Sequence, residues 1–353
     1  MKKILLLAGI TIGLNLSAQI TLTSADFMGA NDSIYYTNGD NLSVDPTPNG
    51  PNQTWDYSQQ NGVSQKVVRH FAMSSAGFSY QFTYNNADFW TDNVDLPIDP
   101  SQFGGFLPVS IDNMVGFFQL DQNEMTNLGY GADISGFPVP MKMDTTDTYY
   151  EFPIDYGDAW GGPSYFKVDM NPIQDIIYIS HARRSTEVTG WGNITTPYGN
   201  YDVLKLKHIV ISEDSLWANI QGFGFWLPVP ARTVTTYEWI PLGEDGPVMV
   251  IKEQDLLGVT EVYYKDAYNP TLATEEIGNK SAELMIYPNP TADQLNLQTE
   301  LEIVQSYIYG MDGQIVKSFG KESQLNVAEL PSGKYILFTR CKEGILTKEF
   351  VKE

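Results

Sequence analysis

The 353-residue chain contains a single cysteine and only three histidines. Cys341 stands alone, so no intramolecular disulfide can form and the fold must depend on its core. A nucleophilic thiol is disfavoured because no histidine or second cysteine lies near Cys341 in the sequence. His70, His181 and His208 show neither zinc-ligand spacing nor a His-Glu-x-x-His pattern, and no Gly-x-Ser-x-Gly elbow occurs. We therefore expect no transition metal, and neither a thiol nor a serine-triad hydrolase.

Basic residues are also scarce, with 21 Lys and Arg against 43 Asp and Glu and a formal net charge of −22. None occurs between Arg69 and Lys142. Such a surface repels nucleic acid and anionic membranes, which argues against both as partners. The acids are scattered rather than set at ligand spacing, so solubility explains them better than a cation site. No phosphate loop or dinucleotide fingerprint occurs, so we expect no cofactor, with calcium left open at acidic loops such as 92–99.

Long hydrophobic runs are absent except at the N-terminus. Met1-Lys2-Lys3 is basic, residues 4–16 are apolar, and Ser17-Ala18-Gln19 offers small residues for cleavage. This pattern predicts a signal peptide over residues 1–19, in preference to a buried N-terminal helix. No other segment approaches the roughly eighteen apolar residues of a membrane span, so we expect no integral membrane segment.

The remaining composition predicts an all-β fold with a central antiparallel β-sandwich. Charged residues make up only 18% of the chain, and 30 Gly and 20 Pro punctuate it at the spacing of short strands. Alternating side chains predict strands at residues 201–207, 232–239 and 248–251, and also at residues 78–84. The turn Thr196-Pro197-Tyr198-Gly199 predicts a hairpin around it.

The chain divides into a large region and a small one. Residues 20–268 form either one large β-sandwich or two smaller β domains divided near residues 136–140. Residues 269–281 are polar and acidic and are predicted to be a linker. Residues 282–353 then form a separate small β domain.

The small domain carries several ordered motifs. They are Tyr287-Pro288-Asn289-Pro290, Tyr307-Ile308-Tyr309, Gly310-Met311-Asp312-Gly313-Gln314, Leu330-Pro331-Ser332-Gly333-Lys334-Tyr335 and Thr347-Lys348-Glu349-Phe350-Val351-Lys352. Together they closely resemble the C-terminal sorting domain (type A) of cargo for the type IX secretion system of Gram-negative bacteria. One departure is Gly310, where the family more often has Asp or Asn; Asp312 offers a substitute for the turn role.

The resemblance implies a compact immunoglobulin-like sandwich that is read by the outer-membrane translocon and the sorting machinery. It also implies passage through the periplasm to the cell surface or the medium, commonly with removal of the domain. The residues that carry the match, and so the predicted sorting signal, are Pro288, Asn289, Pro290, Gly313, Leu330, Gly333, Tyr335 and Lys348.

The central region offers two kinds of candidate site. Aromatic residues among glycines can stack on a glycan or another surface ligand, or can simply cap the sandwich; they are Trp217, Phe223, Phe225 and Trp226. Asp155 and Asp158, just before Trp160, are candidate catalytic carboxylates of a glycosidase type. The leading hypothesis is a non-enzymatic adhesion or ligand-binding module. A secreted hydrolase that acts on polysaccharide through these carboxylates is the alternative.

Overall fold

The structure is a computed structural model. It describes residues 20–353 apart from 93, 95–110, 135, 172–174, 221–222, 230, 256–257, 270–271, 273–283, 300, 311–314 and 342–343. The predicted signal peptide, and nearly all of the predicted linker and of the 92–99 loop, lie outside the described residues.

The central region is built almost entirely from strands, as the sequence predicts. The strands are β1 (Ser33–Gly39), β2 (Gly50–Asp56), β3 (Gly62–Ala72), β4 (Phe89–Thr91), β5 (Ile111–Leu120), β6 (Glu124–Ile134), β7 (Phe137–Glu151), β8 (Ala159–Asp169), β9 (Ile176–Thr195), β10 (Asn200–Ile220), β11 (Phe223–Pro228), β12 (Arg232–Pro241), β13 (Met249–Gln254) and β14 (Gly258–Asp266). Within the described residues of this region, the helical segments are two 3₁₀ turns, Ser24–Asp26 and Met73–Ser75, and the six-residue helix α1, Phe78–Thr83.

These fourteen strands form one continuous sheet that closes on itself. The order is β11-β10-β12-β13-β14-β1-β3-β4-β5-β6-β7-β8-β9-β2, and β9 also pairs with β10. Twelve strands therefore make a ring, while β2 and β11 extend its edges. The sheet runs without a break through residues 136–140, where β6 and β7 form a hairpin.

The β9–β10 hairpin spans the whole ring. Its strands are 20 and 21 residues long, which corresponds to about 65 Å of extended chain. The predicted turn is present, with the Thr196 amide donating to the Gly199 carbonyl at 2.8 Å. At one end β9 pairs with β2 in parallel, and at the other β10 pairs with β11. The hairpin thus fixes both the closure of the ring and its two extensions.

Successive side chains of a strand point to opposite faces of the sheet, so every second residue faces the interior of the ring. In β12, Thr236 and Glu238 line an interior cavity, whereas Tyr237 and Trp239 belong to a different, buried cluster. Trp55 and Tyr57, in and after β2, cover Trp239, with ring centroids 6.0 and 5.3 Å away. A second layer therefore packs on part of the sheet.

The fully buried Lys205 links the sheet to this second layer by hydrogen bonds. Its Nζ donates to the Pro46 carbonyl, to the Pro48 carbonyl at 3.0 Å and to Asn49 Oδ1 at 2.7 Å. Burial lowers the pKa of Lys205 to about 8. The cost of burying the ammonium group is reduced because three oxygen atoms accept the hydrogen bonds that it would otherwise donate to water.

The prediction of a strand at residues 78–84 was wrong, because these residues form α1. Helical spacing places Phe78 and Phe82 together in solvent, 85% and 79% exposed. It also turns Tyr80 and Tyr84 towards Phe117, with Tyr84 stacked on it at 4.0 Å. Aromatic residues at every second position over only seven residues are compatible with a strand or with a short helix. Here the packing of the tyrosines against Phe117 stabilises the helix.

The C-terminal residues form two further sheets around a core of their own. The strands are β15 (Met285–Tyr287), β16 (Gln294–Gln298), β17 (Ile303–Gly310), β18 (Ile315–Phe319), β19 (Gln324–Asn326), β20 (Gly333–Cys341) and β21 (Gly344–Lys352). One sheet has the order β15-β16-β19 and the other β18-β17-β20-β21. Both contribute to one apolar core, including Leu295 and Leu337, so the small domain is a sandwich.

Candidate functional site

The closed sheet encloses a cavity of about 740 Å³. Its walls include aromatic and aliphatic side chains from three separate apolar clusters, for example Phe118, Phe166 and Tyr263. Polar and charged side chains of β7, β9, β10 and β12 line the same space. A cavity of this size, with apolar walls and a few polar groups, matches the usual dimensions of a small-molecule site.

Glu238 is the centre of the polar wall. Tyr150 Oη donates to Glu238 Oε2 at 2.6 Å, and His208 Nε2 lies 3.2 Å from the same oxygen. The other ring nitrogen, His208 Nδ1, is 2.9 Å from Thr186 Oγ1. With a proton on Nε2, His208 donates to Glu238, and the Thr186 hydroxyl is within hydrogen-bonding distance of Nδ1. Four residues from four strands thus form one hydrogen-bonded chain.

Neighbouring groups set the protonation of this chain. Burial, reinforced by the charge of Glu238, raises the pKa of Tyr150 well above its usual value, so the phenol keeps its proton. Burial alone would raise the pKa of Glu238, but His208, Tyr150 and Arg184 together hold it below its ordinary value. The carboxylate is therefore an ionised acceptor in a largely buried position.

Arg184 and Asp147 form the second polar element of the wall. Arg184 Nε and Nη2 donate to the two Asp147 oxygens at 2.8 and 2.7 Å, a bidentate pair. The guanidinium also stacks over the Tyr149 ring at 4.2 Å. Burial opposes the charge, but the pairing with Asp147 raises the pKa of Arg184. The pair is accordingly fixed in position and permanently charged.

The two other cationic side chains of the described cavity lining also pair with carboxylates. Lys252 lies 3.6 Å from Glu261, and Arg232 lies 3.4 Å from the buried Asp214. His70 stacks on Phe89 at 3.9 Å, and burial lowers its pKa to about 4, so it is neutral near pH 7. Among the described residues that line the cavity, the remaining charged residue, Asp245, is exposed on a turn. The described lining residues include four carboxylates and three cationic side chains, so acidic groups slightly outnumber basic ones; they are Asp147, Glu238, Asp245 and Glu261 against Arg184, Arg232 and Lys252.

The carboxylates predicted from sequence lie elsewhere. Asp158 Oδ2 accepts from the Asp155 amide at 2.8 Å, and Asp155 Oδ1 accepts from Thr21 Oγ1 at 2.6 Å. Both groups hold the turn before β8 in shape, and neither lines the cavity. The neighbouring Trp160 is buried in a core cluster and donates to the Tyr149 carbonyl, so it offers no exposed platform.

The predicted aromatic ligand residues lie on the β10–β11 hairpin. Trp217 is directly opposite Trp226, and it packs closely over Gly224. Phe225 pairs instead with Ala218, and the side chain of Phe223 lies outside the described part of the chain. Trp226 is 56% exposed. The hairpin brings two tryptophans together on the surface, apart from the cavity lining.

Sequence reasoning missed the cavity residues. It considered His208 only as a possible metal ligand and rejected it for its spacing, and it did not single out Tyr150, Arg184 or Glu238. Tyr150 and Glu238 are 88 positions apart in the chain. The available signal was the presence of ionisable residues, His208 in β10 and Arg232 and Glu238 in β12, on strand faces that also carry Val210 and Val234.

The sorting-signal residues of the small domain divide into structural and exposed groups. Asn289 Nδ2 donates to the Glu349 carbonyl at 3.2 Å, and its Oδ1 accepts from the Val351 amide at 2.9 Å. The side chain of Asn289 therefore ties the start of the domain to its last strand. Pro288 and Pro290 on either side are exposed, and both follow cis peptide bonds.

The other motif residues surround the turn into β20. Tyr335 Oη donates to the Pro331 carbonyl at 2.8 Å, and the Tyr335 ring stacks with Phe350. Leu330 is buried in the core, and Gly333 begins β20. Lys348 is exposed on β21, while Gly313 lies outside the described residues.

Residues 285–353 match the family described as secretion system C-terminal sorting domain. The protein is cargo of the type IX secretion system. Its sorting domain directs export to the cell surface or the medium, and the secretion machinery handles the chain through it. No curated protein and no solved structure matches the chain. Within the described residues, no helix has the length and apolar character needed to cross a membrane.

Proposed function

We propose that the central region is a ligand-binding module, and that it holds a small molecule inside the closed sheet. The observation that carries the proposal is the cavity of about 740 Å³ with an organised polar wall. Side chains held by several strands at once, such as Glu238 and Arg184, present fixed groups to a guest. Such preorganisation lowers the entropic cost of binding. We propose no metal or organic cofactor for this role.

Blocking the cavity tests the proposal. Ala182, which lines the cavity, lies opposite Ser212 across β9 and β10. Ala182→Phe should place a phenyl ring in this part of the cavity and narrow it. We expect the full chain to bind the uncharged fluorescent probe N-phenyl-1-naphthylamine saturably at one site, and Ala182→Phe to weaken binding at least tenfold.

Ser185→Phe is the matched control, because Ser185 is exposed on the same strand and outside the cavity lining. It should leave the affinity unchanged. Equal binding by all three proteins would place the probe outside the cavity and contradict the proposal. Native mass spectrometry of the protein exported by its own host should also show a bound small molecule that Ala182→Phe lacks.

The alternative, a polysaccharide hydrolase, makes a separate prediction. Asp155 and Asp158 would be required for turnover, and Asp155→Asn should abolish release of reducing sugar from surface polysaccharide. We favour the binding module because the observed hydrogen bonds commit both carboxylates to a turn. Turnover by the wild type that Asp155→Asn removes would reverse that preference.

A further inference from the structure

We infer that the ligand of the central cavity is an organic cation, an apolar molecule with a positively charged nitrogen that binds against Glu238. This inference rests on the proposed function, since it names the chemistry of the same cavity. Three features carry it: the excess of carboxylates in the lining, an open position on Glu238, and the aromatic side chains beside that carboxylate.

The excess of negative charge in the interior is centred on Glu238. Each Arg and Lys of the described lining already has a carboxylate partner; the pairs are Arg184–Asp147 at 2.7 Å, Arg232–Asp214 at 3.4 Å and Lys252–Glu261 at 3.6 Å. Among the described residues, the ion-pair partner of Glu238 is His208, which is charged only when it is protonated. Asp245 lies on an exposed turn. Glu238 is therefore the interior carboxylate whose charge a ligand can balance.

One oxygen of Glu238 is open to a ligand. Tyr150 and His208 both contact Oε2, at 2.6 and 3.2 Å, and no donor among the described residues reaches Oε1. The Glu238 side chain belongs to the cavity lining and is 15% exposed, so a ligand can reach it. A cationic nitrogen beside Oε1 would exchange its water shell for a partner of opposite charge. An anion would be repelled, and an uncharged ligand would leave the carboxylate without a counter-charge.

Aromatic side chains next to Glu238 favour the same kind of ligand. Tyr150, whose hydroxyl donates to Glu238, has Phe27 beside it, with the two ring centroids 4.5 Å apart. Both side chains line the cavity. The negative face of an aromatic ring attracts a cation, and the same ring offers contact area to an apolar body. The net charge of −22 also draws cations rather than anions towards the protein.

Three naphthalene compounds test the inference by displacing N-phenyl-1-naphthylamine from the full chain at pH 8, where imidazole side chains are ordinarily uncharged. They are trimethyl(2-naphthylmethyl)ammonium, its uncharged carbon analogue 2-neopentylnaphthalene, and the anion 2-naphthylacetate. We expect the ammonium compound to bind at least tenfold more tightly than the anion. Glu238→Gln should weaken binding of the ammonium compound at least fivefold and change the affinity of the uncharged analogue less than twofold.

Glu253→Gln is the matched control. Glu253 also accepts from a tyrosine hydroxyl, that of Tyr237 at 3.1 Å, but it lies outside the cavity lining, so both affinities should stay unchanged. The ratio of two affinities on one variant is insensitive to a general loss of folded protein. Binding of the anion as tight as that of the ammonium compound would overturn this inference and leave the binding module standing. So would a Glu238→Gln variant that changes both affinities by the same factor. Failure of the probe and of all three compounds to bind would overturn the proposed function as well.

Discussion

The interior of the closed sheet and the interior of the sorting domain are built in opposite ways. The closed sheet contains ion pairs, a buried histidine and an open cavity. The sorting domain has an apolar core, and its buried Ser306 and Thr339 hydroxyls form a hydrogen bond with each other at 3.2 Å. A domain that is read from outside by a secretion machinery needs only a stable interior. A region that holds a ligand needs specific chemistry inside, and it tolerates a less compact core for that purpose.

The largest expected effect is on export, which should depend on the sorting domain and not on the cavity of the central region. Deleting residues 282–353 should trap the protein in the periplasm, because the sorting domain is what the export machinery recognises. Cell fractionation and protease accessibility of whole cells would measure this. The full-length chain with Ala182→Phe should still reach the surface, since its change lies in the cavity alone. Surface display of the truncated chain would contradict the assignment of export to the sorting domain.

The next effect concerns the second layer of the central region. We expect Lys205→Ala to lower the free energy of unfolding by about 3–5 kcal/mol, because three acceptors of segment 46–49 lose their buried donor. Urea unfolding followed by tryptophan fluorescence reports this region selectively, since all seven Trp precede residue 269. Lys207→Ala, two positions along β10 and only half-buried, should cost less than about 1 kcal/mol. Similar losses for both variants would contradict the role given to Lys205.

A pH effect should distinguish the central interior from the sorting domain, which has no histidine. Burial lowers the pKa of His70 to about 4 in the folded protein, against about 6.5 in the unfolded chain. The unfolded chain therefore takes up the proton first, and stability falls as the pH drops from about 6.5 to 4. The loss should approach about 3 kcal/mol.

The difference between the wild type and His70→Gln, measured by urea unfolding across this range, isolates the contribution of His70. The difference should be constant above about pH 6.5 and should change only below it. A difference that stays constant from pH 7 to pH 4 would mean that the pKa of His70 is the same in the folded and the unfolded chain.

The smallest expected effect lies on the surface hairpin. Trp226→Ala should change the free energy of unfolding by less than about 1 kcal/mol and leave probe binding in the cavity unchanged, because Trp226 is exposed and outside the lining. Trp239→Ala, which empties a fully buried position, is the contrasting variant and should cost about 3–5 kcal/mol. A loss of probe affinity in Trp226→Ala would show that the hairpin is part of the ligand site.

Local patterns predicted much of the fold. The strands around residues 201–207 and 232–239 and the hairpin turn at Thr196–Gly199 need only neighbouring residues to be recognised, and all are present. The sorting domain was recognisable for the same reason, since its motifs follow one another within about seventy residues. Helix α1 was missed because its preference is decided by packing against Phe117 rather than by its own sequence.

The candidate site could not be predicted in this way. Its contacts join Asp147 to Arg184 and Tyr150 to Glu238, pairs separated by 37 and 88 positions. Their proximity depends on which strands are neighbours in the ring and on the bulge at Lys205/Leu206 that sets the face of β10. Sequence showed ionisable residues in these strands but not that they share an interior.

The pairing of β1 with β14 has a consequence for the timing of folding. Tyr35 lies opposite Asp266, so the first strand of the ring meets its last strand across more than two hundred residues. During synthesis and transport from the N-terminus, β1 has no permanent partner on that side until β14 emerges. The closure of so long a loop is slow, and the open edges meanwhile invite association with other chains. The cavity inside the closed sheet is therefore completed last, just before the sorting domain becomes available to the export machinery.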